Sequence, residues 1–180
     1  WMSGSVNSTT GIKGAGDLAK KIFASKVTNE SAIKPEYRGT GFLMLEPTYK
    51  HILLIDLKDW NNALIIEDGL FLASEDSNSM KVVAKKTLSS AIAGNEGLFN
   101  LCLTGKGIVA LESFIPYKEL IVVELNNDVI KIDGSYAIAW SDSLQFTVER
   151  SGKTLLGSAV SGEGLVNVYR GTGKILMAPI

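Results

Sequence analysis

Apolar and polar positions along the chain form short runs closed by Gly, Asn and Asp. Leu144, Phe146 and Val148 alternate with Gln145, Thr147 and Glu149, a period of two that gives a strand one dry and one wet face. Leu165-Val166-Asn167-Val168-Tyr169 has the β-branched and aromatic character that pleated surfaces favour. Residues 52–57, 64–66, 120–125, 129–132 and 136–140 complete the expected strands. Asn126-Asn127-Asp128 and Trp60-Asn61-Asn62 read as turns between them. Helical spacing is confined to Asp17–Ala24, with Asp17 as cap, and more weakly to Thr87–Ala93. Strands of this length and spacing predict an all-β sandwich or barrel with few short helices.

The chain also matches itself. Tyr37-Arg38-Gly39-Thr40-Gly41 recurs letter for letter as Tyr169-Arg170-Gly171-Thr172-Gly173, with Thr104-Gly105-Lys106-Gly107 midway. Gly41, Gly107 and Gly173 are spaced by 66 residues. Asn29-Glu30 returns as Asn95-Glu96 at the same step, and Glu163 follows Glu96 by 67. Asp68-Gly69-Leu70-Phe71 answers Asp133-Gly134-Ser135-Tyr136 at 65. Glycine supplies the positive φ that a tight link between strands needs, so Gly-X-Gly ahead of an apolar run reads as strand, turn, strand. A duplicated unit of this kind buries its apolar face against its neighbour or against another chain. The expected organisation is a tail or expression remnant over 1–15, a first β-repeat with its leading edge over 16–106, and a second over 107–180. The two repeats are expected to pack as one unit.

The composition, 46% hydrophobic and 21% charged, is that of a globular chain. A net charge of −1 lacks the basic excess of proteins that live on nucleic acid, so nucleic acid is not expected as a partner. A single cysteine, Cys102, excludes an internal disulfide and suits a reducing compartment. No apolar run approaches the roughly 20 residues of a membrane-spanning helix, and the cytoplasm is the expected location.

Gly162-Glu163-Gly164-Leu165-Val166 followed by Arg170-Gly171-Thr172-Gly173 resembles the C-terminal pattern of the AIM24 family. Gly69-Leu70-Phe71-Leu72-Ala73-Ser74 and the closing Lys174-Ile175-Leu176-Met177-Ala178-Pro179 resemble it too, and the likeness runs from about Gly16 to the C-terminus. It implies tandem β-units similar to the tryptophan RNA-binding attenuator protein, a double-stranded β-helix or barrel-like sandwich assembled into a homo-oligomeric ring. Fungal members are associated with mitochondrial inner-membrane organisation. The family brings no catalytic residues to carry over.

The search for chemistry points the same way. His51 is the only histidine, and a metal site or a Ser-His-Asp triad needs more than it supplies. No serine sits in a Gly-X-Ser-X-Gly elbow; Ser161 lies in Val-Ser-Gly-Glu-Gly. Cys102, between leucines, reads as a core residue. Gly14-Ala15-Gly16 and Gly171-Thr172-Gly173 lack the strand-to-helix setting of a phosphate loop. Glu96 and Glu163 occupy equivalent places and read as partners of their own turns. Arg38 and Arg170, each beside a tyrosine, fit a solvated strand edge better than an RNA-stacking pair. Trp60 and Trp140 read as core or interface anchors. The expectation is a non-enzymatic assembly or binding protein without catalytic, cofactor or metal residues. Its expected partners are itself, as a trimer or larger ring, and an unidentified protein, with a scaffold role. RNA or small-ligand binding by fold analogy is the alternative.

Overall fold

The computed structural model describes residues 1–10, 35–46, 48–84, 86–87, 99–150 and 165–179. In order the strands are β1 (Met2–Gly4), β2 (Asn7–Thr9), β3 (Glu36–Arg38), β4 (Gly41–Leu43), β5 (His51–Asp56), β6 (Ala63–Ile66), β7 (Phe71–Ser74) and β8 (Ser79–Ala84). There follow β9 (Lys86–Thr87), β10 (Phe99–Thr104), β11 (Ile108–Ser113), β12 (Ile121–Asp133), β13 (Ala137–Ser141), β14 (Gln145–Arg150) and β15 (Leu165–Met177). Two 3-10 turns, Leu57–Trp60 and Tyr117–Glu119, are the helical elements among the described residues. The fold is all-β, as the strand patterning predicts. The helix expected at Asp17–Ala24 lies outside the described residues, as does 88–93 of the second candidate.

An eight-stranded sheet runs β8-β10-β6-β13-β15-β14-β9, with β12 also on β15. A three-stranded sheet runs β5-β11-β7, and two ribbons pair β1 with β4 and β2 with β3. Among the described residues the sheets stay open and do not close into a barrel. Leu53, Ile55, Val109 and Leu111 of the three-stranded sheet pack on Leu64, Ile66, Leu101 and Leu103 of the larger one. The other face of the larger sheet sends Ile65, Cys102 and Trp140 into a second cluster with Leu144, Tyr169 and Ile175. Strands covered on both faces need unbroken apolar runs, which accounts for Leu64-Ile65-Ile66 and Leu101-Cys102-Leu103.

The internal repeat is written into the ladders. Thr104 opposite Ser79 returns, 66 residues on, as Arg170 opposite Gln145. Cys102 opposite Ile65 returns as Val168 opposite Lys131, and Ala110 opposite Ala73 as Leu176 opposite Ala139. Even the irregularity that skips Leu72 in β7 recurs as one that skips Ile138 in β13. The exception is the outer strand. Ile108 faces Asp56, whereas Lys174 faces Glu124 in place of residue 122. A slip of two residues keeps every side chain on its own face, so the core tolerates it.

Residues 2–4 and 7–9 are strands, and the Tyr-Arg-Gly-Thr-Gly copy at 37–41 finds ladder partners there. β11 is the central strand between β5 and β7. The 66-residue step relates the ladders of β5 to β11 with those of β12 to β15. One reading of a turn needs correction. Asn126-Asn127-Asp128 is a bulge within one long strand rather than a turn. Asn127 takes φ 53 there and donates its N–H to Thr172 Oγ1 at 2.9 Å, so β12 and β15 bend together across both layers. Gly171-Thr172-Gly173 is likewise a bend inside β15, while Gly105-Lys106-Gly107 is the expected turn.

Candidate functional site

The Gly-X-Gly segments at 105–107 and 171–173 are each held by a polar clasp from the chain roughly 30 residues before. In the first block Glu75 Oε2 accepts from Ile108 N–H at 3.0 Å, and Asn78 Oδ1 accepts from Gly107 N–H at 2.9 Å. Asn78 Nδ2 returns a hydrogen bond to Ile108 O at 3.0 Å. In the second block Ser141 Oγ accepts from Lys174 N–H at 3.0 Å and Ser143 Oγ donates to Thr172 O at 2.9 Å. These groups are spent on backbone, so the Gly171-Thr172-Gly173 segment is a structural bend. No sequence motif announced the clasps; their signal was the 66-residue offset of polar Glu75-Asp76-Ser77 from Ser141-Asp142-Ser143.

The sequence candidates scatter. His51 sits exposed at the start of β5, opposite Ser113. Arg38 forks onto Asp76, both oxygens at 3.2 Å. Arg170 pairs with Glu149 at 2.7 Å and donates to Thr147 Oγ1 at 3.0 Å. The Thr147 hydroxyl, which donates to Glu149 Oε1 at 2.9 Å, and then the Arg170 guanidinium hold the Glu149 carboxyl below its usual range. Both arginines are therefore committed to carboxylates. Gly14, Gly16, Glu96, Ser161 and Glu163 lie outside the described residues. Among the described residues no three His, Cys, Asp or Glu side chains converge as a metal set.

Trp60 and Trp140 are buried, Trp60 in the first cluster and Trp140 in the second. Trp140, Phe146 and Tyr169 form a ring trio with centroids 5.1–5.2 Å apart. Trp140 Nε1 and the Tyr169 hydroxyl are buried with no hydrogen-bond partner among the described residues, and burial pushes the phenol far above its ordinary pKa.

Cys102 is fully buried, and burial, reinforced by the charge of Asp142, raises its thiol from 9.0 to about 11. At neutral pH it is a thiol and a poor nucleophile. In the native protein Ellman's reagent is expected to react no faster than the protein opens, and at once in denaturant. The unfolded thiol ionises first, so the stabilisation Cys102 gives is complete below pH 9 and is lost as pH rises towards 11. A native thiol that reacts within the mixing time would contradict this.

What the structure does assemble is surface. On the outward face of the three-stranded sheet Ile52 and Leu54, the latter 68% exposed, lie beside Ala110 and Ile108. Phe114, at the end of β11, is exposed under the Lys50 ammonium, which also pairs with Glu112 at 3.3 Å. In the ribbon of β1 and β4, Leu43 and Met44 are exposed, although their repeat counterparts Val109, Ile175 and Leu176 are buried. Among the described residues, β5 and β12 each have one ladder partner strand, as does β7. Exposed apolar side chains beside strand edges are features that favour association in general. No helix among the described residues is long and apolar enough to cross a membrane.

Comparison with known proteins agrees with this architecture. The family model described as Mitochondrial biogenesis AIM24 matches residues 1–180. The uncharacterized protein M6_Spy0233 of Streptococcus pyogenes serotype M6 is 30% identical over 165 residues, 90% of this chain; the match spans 64% of that relative's length. The crystal structure of protein SPYM3_0169 from Streptococcus pyogenes superposes with a TM-score of 0.68 at 26% identity, over all of this chain and 79% of that one.

Proposed function

We propose that this chain, which belongs to the AIM24 family, works in the cytoplasm as a non-enzymatic protein that assembles with copies of itself and binds through the assembled surface. The observation that carries this reading is the outward face of β5 and β11. Sheet faces turned to solvent ordinarily carry polar residues, and here Ile52, Leu54 and Ile108 are exposed together on one face of β5 and β11. Such a face is stable in solution when another chain covers it. The role that fits is a scaffold, a ring of like subunits that presents one surface many times. RNA binding is disfavoured by the engagement of Arg38 and Arg170 with Asp76 and Glu149. Sedimentation velocity over a wide dilution range, paired with a titration of labelled single-stranded RNA at low salt, tests the reading. The expected result is a discrete species heavier than 19.3 kDa and no saturable RNA binding. A 19.3 kDa boundary throughout, or a monomer that binds RNA, would overturn it.

A further inference from the structure

The two repeat blocks meet inside the chain in one specific way. β6 of the first block pairs antiparallel with β13 of the second, with Ile66 opposite Ala139, Ile65 opposite Trp140 and Leu64 opposite Ser141. The junction is flanked by backbone hydrogen bonds from Glu67 N–H to Ile138 O at 3.0 Å and from Asp142 N–H to Ala63 O at 3.4 Å. Each strand has a counterpart 66 residues away. The counterpart of β6 is the second half of β12, residues 129–132, and the counterpart of β13 is β7. Within the chain these two are not neighbours: β12 pairs with β15 and β7 with β11.

Among the described residues, neither counterpart has a ladder partner on its outer side. Val129 donates its N–H to Asp128 Oδ1 at 2.7 Å, a side chain of its own strand, rather than to β15. Residues of that parity in β12, Val129 and Lys131, therefore face away from β15 as Ala63 and Ile65 face β13. On β7, Glu75 N–H goes to Ile108 O on β11 at 3.1 Å, so the alternate N–H of Ser74 faces away. Val129 is 49% exposed and Ala73 half-buried, although the equivalent Ala63 is half-buried and Ala139 fully buried in the junction.

We propose that the outer edge of β12 in one copy pairs with the outer edge of β7 in a second copy, repeating the β6–β13 junction between chains. The 66-residue step fixes the register. Ile132 faces Ala73 of the second copy, Lys131 faces Ser74, and Ile130 faces Glu75. This contact is heterologous, since β12 and β7 are different surfaces, so successive copies continue head to tail until the ring closes. It rests on the assembly reading above and names the surface that performs it.

The first test uses proline at an outward position. Proline removes an N–H that the β12–β15 ladder does not use, and edge strands accept it there. Lys131→Pro is expected to keep the β-sheet circular dichroism and to reduce the native mass to 19.3 kDa; Ser74→Pro is expected to do the same from the other edge. The second test stands even if the prolines fail to fold. Lys131→Cys and Ser74→Cys are made as separate proteins, mixed and mildly oxidised. Directly opposed strand residues lie about 5.5 Å apart at Cα, within disulfide reach. A covalent dimer that forms from the mixture, and not from either variant alone, is the expected result. If the wild type assembles but the mixture gives no selective cross-link, this interface is wrong while the assembly reading stands. A wild type that is monomeric overturns both.

Discussion

Replacing Trp140 by alanine is expected to lower the free energy of unfolding by about 3–5 kcal/mol, the range for a large aromatic removed from a core. Trp140 is 1% exposed and supports the second cluster from the middle of the eight-stranded sheet. Its indole touches both other rings of the trio, at 5.1 Å from Phe146 and 5.2 Å from Tyr169. Its backbone joins β15 on one side and β6 on the other, so the two repeat blocks relax together when it is lost. The neighbouring change makes the contrast. Tyr169→Phe removes a hydroxyl that is buried without a partner among the described residues, so it is expected to be neutral or stabilising by about 1 kcal/mol. Urea unfolding of both variants checks the pair. A loss in Tyr169→Phe as large as that in Trp140→Ala would mean that the hydroxyl has a partner in solution.

Gly105→Ala is the second large effect. Gly105 holds φ +145, and an added Cβ would run into Asn78 Oδ1 and lie 2.9 Å from both Asn78 Cα and Ser77 O. The dihedral alone costs about 1–3 kcal/mol for a residue with a side chain. Displacing the backbone of 77–78 adds to this by opening the clasp from Asn78 to Gly107 and Ile108. The fitting control is Gly69→Ala, also at positive φ (+75) but with nothing within 4 Å of the added Cβ. Gly105→Ala is expected to unfold at clearly lower urea concentration than Gly69→Ala. Equal midpoints would show that the clasp does not hold the turn.

The strand class and the repeat were legible in the sequence because both rest on local chemistry. Alternation at 144–149 records a half-buried strand, and a Gly-X-Gly motif records a backbone conformation that few other residues adopt. What these signals do not contain is partnership. Asn126-Asn127-Asp128 has the composition of a hairpin turn and becomes a bulge, because Thr172 from the opposite strand receives the Asn127 N–H. Residues 2–9 have the composition of a tail and become strands, because 36–43 offers them a ladder. Lone candidates such as His51 and Cys102 were read from their neighbours as edge and core residues, and they occupy those places. The candidate surface was the least legible part. Leu53 and Leu54 are adjacent and chemically identical, yet one is buried and the other exposed. Only the strand's orientation separates them.

The mass of the native protein by light scattering, at low and at high salt, tests the central claim most directly. An interface made of apolar side chains and strand-to-strand hydrogen bonds is weakly screened, so the account predicts one multiple of 19.3 kDa, a trimer or larger, at both salt concentrations. A mass of 19.3 kDa at working concentrations would contradict it, and would leave the exposed apolar face of β5 and β11 as a feature of a monomer.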